Sequence, residues 1–136
     1  MNKSYVLDAS AVVELLLGGP GADRVQRLLS DPVRHSDPLL MSAVNWGEVF
    51  YYSWQRHGEE SARQTMADLS RLPIQVVPVD VPQVLRAGEL KVLHKIPYVD
   101  SLAAALATLN QATLVTADRD FEKLGRRFPL LWVVRP

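Results

Sequence analysis

Cysteine is absent from this chain, which excludes disulfides and thiolate metal sites and fits a reducing cytosol. Net charge is missing as well: 15 Lys and Arg balance 15 Asp and Glu, so no global field draws the protein onto nucleic acid or a membrane. A polyanionic substrate would have to be held by a local patch or by bound metal. No apolar run approaches the ~20 residues of a membrane span. Too few apolar residues precede Asp8 for a secretory signal peptide. Together these absences predict a soluble, cytoplasmic protein with no membrane partner. The glycine-rich Gly18-Gly-Pro-Gly21 lacks the Gly-Lys-Ser/Thr of a phosphate loop and reads as a turn. Without repeats, linkers or low-complexity segments, residues 1–136 read as one domain, with 48% apolar residues to build its core.

What is present is an alternation of short apolar runs and helical patterns. Tyr5-Val-Leu is a strand that ends on Asp8 and gives way to a helix over Ala11 to Leu17. Ala22 to Leu29 is a second helix, stopped by Ser30-Asp-Pro32. Leu39 to Met41 fits a second strand, after which Ser42 caps a helix running to about Arg56 and ended by His57-Gly58. Glu59 to Leu72 is helical up to Pro73. Ile74 to Val79 is a third strand, whose Pro78 marks its end or a sheet edge. Helices over Val81 to His94 and Tyr98 to Leu109 follow, separated by Ile96-Pro97. Thr113 to Thr116 is a fourth strand, Phe121 to Arg126 a short helix, and Leu131 to Val134 the last strand. Alternation of this kind predicts an α/β fold: a parallel sheet of about five strands with right-handed crossovers and helices on both faces.

Four carboxylates fall where such a fold places ligands, beyond the carboxyl ends of the strands. Asp8 follows the first strand and Asp118 the fourth, so neighbouring strands would bring both into one crevice. Glu48 shares a largely apolar helix face with Val44, Tyr51 and Tyr52. Asp100 opens Tyr98-Val-Asp-Ser-Leu-Ala-Ala-Ala-Leu-Ala107, a segment apolar nearly all round and therefore buried. Each acid also has a plainer reading. Asp8 could cap its helix, Asp100 favour a helix N-terminus, Asp118 and Asp120 form a turn, and Glu48 face solvent. Clustered carboxylates repel and raise one another's pKa unless a cation lies among them. Oxygen ligands without Cys or clustered His select Mg²⁺ or Mn²⁺ over Zn²⁺. A site of that kind suits phosphodiester hydrolysis.

Val6-Leu-Asp8-Ala-Ser10, the Ser42…Glu48 helix, Asp100-Ser-Leu-Ala-Ala and Thr116-Ala-Asp118-Arg-Asp120-Phe121 together resemble the PIN-domain nucleases. Within these, the chain is most similar to the VapC-like toxin ribonucleases of type II toxin–antitoxin modules. The ordered set spans essentially the whole chain. The resemblance implies a three-layer fold with strand order 3-2-1-4-5 and Mg²⁺- or Mn²⁺-dependent cleavage of RNA. It implies Asp8, Glu48, Asp100 and Asp118 as catalytic metal ligands, with Ser10 and Thr116 in support. Asp120 is either a further ligand through water or the cap of the short helix. The resemblance also implies a homodimer and an antitoxin whose tail covers the acidic pocket with an Arg or Lys.

Further readings concern the surface. Lys91, Lys95, Arg119 and Arg126-Arg127 are the local candidates for phosphate contact. Trp46, Phe50 and Trp54 lie on one side of their helix and Tyr51 and Tyr52 on the other, nearer Glu48. One set can pack on the sheet and the other must meet something else, a partner or more of the same core. Two alternatives compete with the nuclease. A degenerate PIN module would scaffold RNA or protein without turnover. An aspartyl-phosphate phosphatase also ends its first strand on Asp but needs a second Asp two residues on, where this chain has Ser10.

Overall fold

The computed structural model describes residues 3–134. Its strands are β1 (Tyr5–Leu7), β2 (Leu39–Ser42), β3 (Ile74–Val77), β4 (Thr113–Thr116) and β5 (Leu130–Trp132). Its helices are α1 (Ala9–Leu17), α2 (Ala22–Ser30), α3 (Ala43–His57), α4 (Glu59–Leu69), α5 (Val81–His94) and α6 (Tyr98–Leu109). The strands form one parallel sheet, as the alternation predicts, and its order β3-β2-β1-β4-β5 is the one the resemblance implies. β1 lies at its centre, and both Val6 and Leu7 are fully buried. Because successive strand residues face opposite ways, β1 serves two cores. Val6 and Leu114 pack with α5 and α6 on one face, whereas Leu7, Met41 and Val115 pack with α1 to α4 on the other. The result is three layers.

Local chemistry sets the element ends. Gly18 closes α1 at φ 62°, a left-handed conformation that a side chain would resist. Glu14 Oε2 then accepts a hydrogen bond from Gly21 N at 3.1 Å, so the glycine-rich segment is a braced turn. Ser42 caps α3 through Val44 N, as predicted. Helix α4 ends at Leu69 rather than Leu72. There Ser70 Oγ donates to Ala67 O, the N–H groups of Arg71 and Leu72 bond three residues back, and Pro73 disfavours helical backbone before it. Strand β3 stops at Val77, since Pro78 has no N–H to continue the ladder, and it does occupy a sheet edge. The predicted short helix is a 3₁₀ turn over Arg119–Leu124, capped by Asp118. A second 3₁₀ turn, Pro32–His35, was not expected. The last strand starts one residue early and ends at Trp132.

Helix α3 resolves the question of its aromatic faces. Its buried stripe is Asn45, Val49 and Ser53, with aromatic residues on both flanks. Trp46 packs on the core shared by α1 to α4. Phe50 and Trp54 meet edge to face at 5.6 Å, and Arg63 of α4 lies over both rings. These contacts lie within the chain, and Trp54 keeps 40% of its surface exposed. Tyr51 and Tyr52 instead face a cleft between α1 and α3.

Candidate metal centre

The carboxyl edge of β1 and β4 fixes the middle of the site. The two strands pair in parallel, and Asp8 N donates to Val115 O at 3.1 Å, so Asp8 and Asp118 leave the sheet side by side. Asp8 is 4% exposed and fully engaged. Its Oδ1 accepts from Ser10 Oγ at 2.7 Å and from Ala11 N at 3.1 Å, and its Oδ2 accepts from Thr116 Oγ1 at 2.9 Å. Both readings of Asp8 thus hold together, for it caps α1 and lies in the crevice. Ser10 and Thr116 cross-brace the neighbouring backbone. Ala117 N donates to Ser10 Oγ and Asp118 N to Thr116 Oγ1, each at 2.9 Å. Asp118 in turn accepts from Asp120 N at 2.9 Å, which aims the turn.

Helix α6 brings Asp100 to this edge from the opposite layer. Residues Ser101 to Ala107 are all buried, so the helix passes beneath the sheet as its apolar pattern predicts. Carboxylate oxygens of Asp100, Asp118 and Asp120 lie within 4.8 Å of one another. Among the described residues, no Lys or Arg forms an ion pair with any of them. Burial pushes the Asp100 carboxyl up to about 7, helped by the negative charges of Asp118, Asp8, Glu48 and Asp120. Burial likewise raises Asp8 to about 6, against the opposing pull of the Ser10, Thr116 and Ala11 hydrogen bonds. Uncompensated acids this close need a proton or a cation. All-oxygen donors suit a hard divalent ion.

Glu48 comes from α3. Asn45, one helical turn earlier, donates from Nδ2 to Glu48 Oε1 at 2.6 Å, while its own Oδ1 is buried without a partner. Asn45 is 2% exposed. Sequence reasoning missed it. The available signal was an amide three residues before an acid on one helix, a spacing that places the two side chains together.

The structure thus brings Asp8, Asp100, Asp118 and Asp120 to one edge, with Glu48 near enough to act on Asp100. Asp118, not Asp120, caps the 3₁₀ turn; Asp120 lies in its first turn with a carboxylate oxygen among the acids. The basic candidates fare differently. Arg119 pairs with Glu122 at 3.1 Å and stacks on Trp132 at 4.4 Å. None of Lys91, Lys95, Arg126 and Arg127 is among the residues lining the acidic cleft.

No curated protein sequence matches the chain significantly. Solved structures do. A toxin–antitoxin complex from Klebsiella pneumoniae is 18% identical, covers 98% of this chain and 100% of its own, and gives a TM-score of 0.73. VapBC-1 from nontypeable Haemophilus influenzae is 21% identical over 95% of this chain and 97% of its own, with a TM-score of 0.72. Mycobacterium tuberculosis VapC20, a Sarcin-Ricin loop cleaving toxin, is 23% identical over 98% and 100%, with a TM-score of 0.72. These likenesses show a shared fold. The PIN-domain family profile matches residues 5–127. Because that profile spans nearly the whole chain, the protein belongs to the PIN-domain family.

Proposed function

We propose that this protein is a Mg²⁺- or Mn²⁺-dependent endoribonuclease and the toxin of a type II toxin–antitoxin pair. The observation that carries the reading is the convergence of Asp100, Asp118 and Asp120 oxygens within 4.8 Å, beside buried Asp8 and without a counter-cation among the described residues. Asp8, Asp100, Asp118 and Asp120 would hold the metal, with Glu48 oriented toward it by Asn45. A divalent ion bound there supplies a lowered pKa for its water and charge stabilisation for the phosphate. The chain's own residues do the rest. Ser10 and Thr116 fix both oxygens of Asp8, and the Ser10 and Thr116 hydroxyls hold the backbone of residues 117 and 118 in place. The same acids lower repulsion of a polyanion only when neutralised, which makes RNA binding metal-dependent in a chain of zero net charge.

Solved neighbours that are toxin–antitoxin complexes support an antitoxin partner. A pocket of carboxylates is complementary to a guanidinium, which can fork onto two oxygens. An antitoxin Arg would therefore satisfy the acids and exclude metal. A homodimer is supported by α5, where Val81, Leu85 and Val92 are 67%, 64% and 77% exposed. With Gly88 they recur at the 4-3-4 spacing of a helix–helix seam, suited to pairing with a second copy.

The test is the chemistry of the cut. No histidine is among the residues lining the cleft, and His94 lies against Lys123 O, so no pair stands ready to activate a ribose 2′-hydroxyl. Cleavage with Mn²⁺ should leave 5′-phosphate and 3′-hydroxyl ends. Recovery of 2′,3′-cyclic phosphates would show that a different mechanism operates.

A further inference from the structure

Beside the acids, a cleft of about 430 Å³ runs between α1 and α3, lined by Ser10, Glu48, Tyr51, Tyr52 and Asp118 among others. Resting on the nuclease reading, we propose that Tyr51 and Tyr52 form a stacking shelf for an unpaired nucleobase of the RNA strand, adjacent to the phosphate held at the acids.

Four observations converge on this assignment. The shelf shares Ser10, Glu48 and Asp118 with the acidic centre, so a strand crossing that centre continues directly onto it. Tyr51 is 53% exposed, and neither tyrosine belongs to the packed cores. Neither hydroxyl has a hydrogen-bond partner among the described residues, whereas Phe50 and Trp54 on the same helix are held by each other and by Arg63. Arg56 lies over the Tyr52 ring, 5.4 Å from its centroid, so that face of Tyr52 carries a guanidinium and Tyr51 is the more open ring.

Charge argues for stacking too. With 15 basic and 15 acidic residues, and no basic residue lining the cleft, counterion release can supply little affinity. Base stacking on aromatic rings is the sequence-tolerant alternative, and it requires single-stranded substrate because paired bases hide their faces. Glu14, also on the cleft wall, is tied to Gly21 N and does not cover the rings.

The test compares wild type, Tyr51→Phe and Tyr51→Leu on a random-sequence single-stranded oligoribonucleotide bearing a fluorophore and a quencher, with Mn²⁺. Binding is followed separately in Ca²⁺ with an oligoribonucleotide containing 2-aminopurine, whose fluorescence falls on stacking. Tyr51→Leu should raise KM roughly 5- to 100-fold, with kcat changed far less, and should abolish the quench. Tyr51→Phe should match wild type in both. If wild type binds with a quench that depends on Tyr51 but cleaves nothing, the nuclease reading falls and the shelf stands. If wild type cleaves and Tyr51→Leu keeps its KM and its quench, the shelf falls alone. Equal loss in Phe and Leu variants would also overturn it, since a hydroxyl contact is then at work. So would a Tyr51→Leu protein that handles RNA normally but loses a protein partner.

Discussion

Asp8 and Asp100 are both raised above the ordinary 3.8, but they live differently. Asp8 has three donors to share its charge, while Asp100 has none among the described residues and faces other acids. A raised carboxyl favours the protonated form in the folded state. Its contribution to stability is present below about pH 4 and is lost as pH rises through 6 for Asp8 and 7 for Asp100. In chelator, Asp100→Asn should therefore melt a few degrees above wild type at pH 8 and level with it near pH 4. An Asn variant less stable at pH 8 would mean that Asp100 is already compensated. Metal binding, which needs both acids ionised, should strengthen over the same pH interval. Asn45 belongs at this scale as well. Asn45→Ala frees the Glu48 carboxylate and should weaken metal-dependent activity roughly 10- to 100-fold, the usual effect of losing a residue that orients a ligand. Unchanged metal titration and rate would leave Asn45 a purely structural residue.

Among the elements, α6 carries the clearest consequence of sequence for site geometry. Ala103, Ala104 and Ala107 are fully buried, and their small side chains let the sheet and α5 approach closely enough for Asp100 to reach the acids. Ala104→Leu should cost about 1–3 kcal/mol by overpacking and displace Asp100. Denaturant unfolding would show it, and a loss below that range would mean the layer can open. The strands and helices were legible because their apolar periods are clean: a continuous run in β1, an all-round apolar α6, and caps at Ser42 and Gly18. The facing of helix α3 was not legible, because its buried stripe is built on Asn45 and Ser53 while large aromatics sit on the flanks. Its packing is decided by Arg63 and Met66 of α4, a tertiary contact that no local pattern encodes. Asp8 and Asp118 could be read from strand ends and Asp100 from its buried helix, whereas the closeness of Asp120 to them needed three dimensions.

For the whole molecule, the described residues hold no helix long and apolar enough to cross a membrane. An apolar feature that the fold leaves exposed is the α5 seam. Leu85→Arg should convert the proposed dimer to a monomer in light scattering while leaving the melting temperature of the monomer nearly unchanged, since Leu85 is 64% exposed. If the variant remains dimeric, the two copies meet elsewhere.

The central claim is that the acids between β1, β4 and α6 are a metal centre for cutting RNA. It is tested most directly by RNA cleavage with purified wild type and Asp100→Asn, each in Mn²⁺ and in chelator, with folding verified by melting. Wild type should cut only with metal, and the Asn variant should be folded yet inactive in both. Equal cleavage in chelator, or by Asp100→Asn, would contradict it.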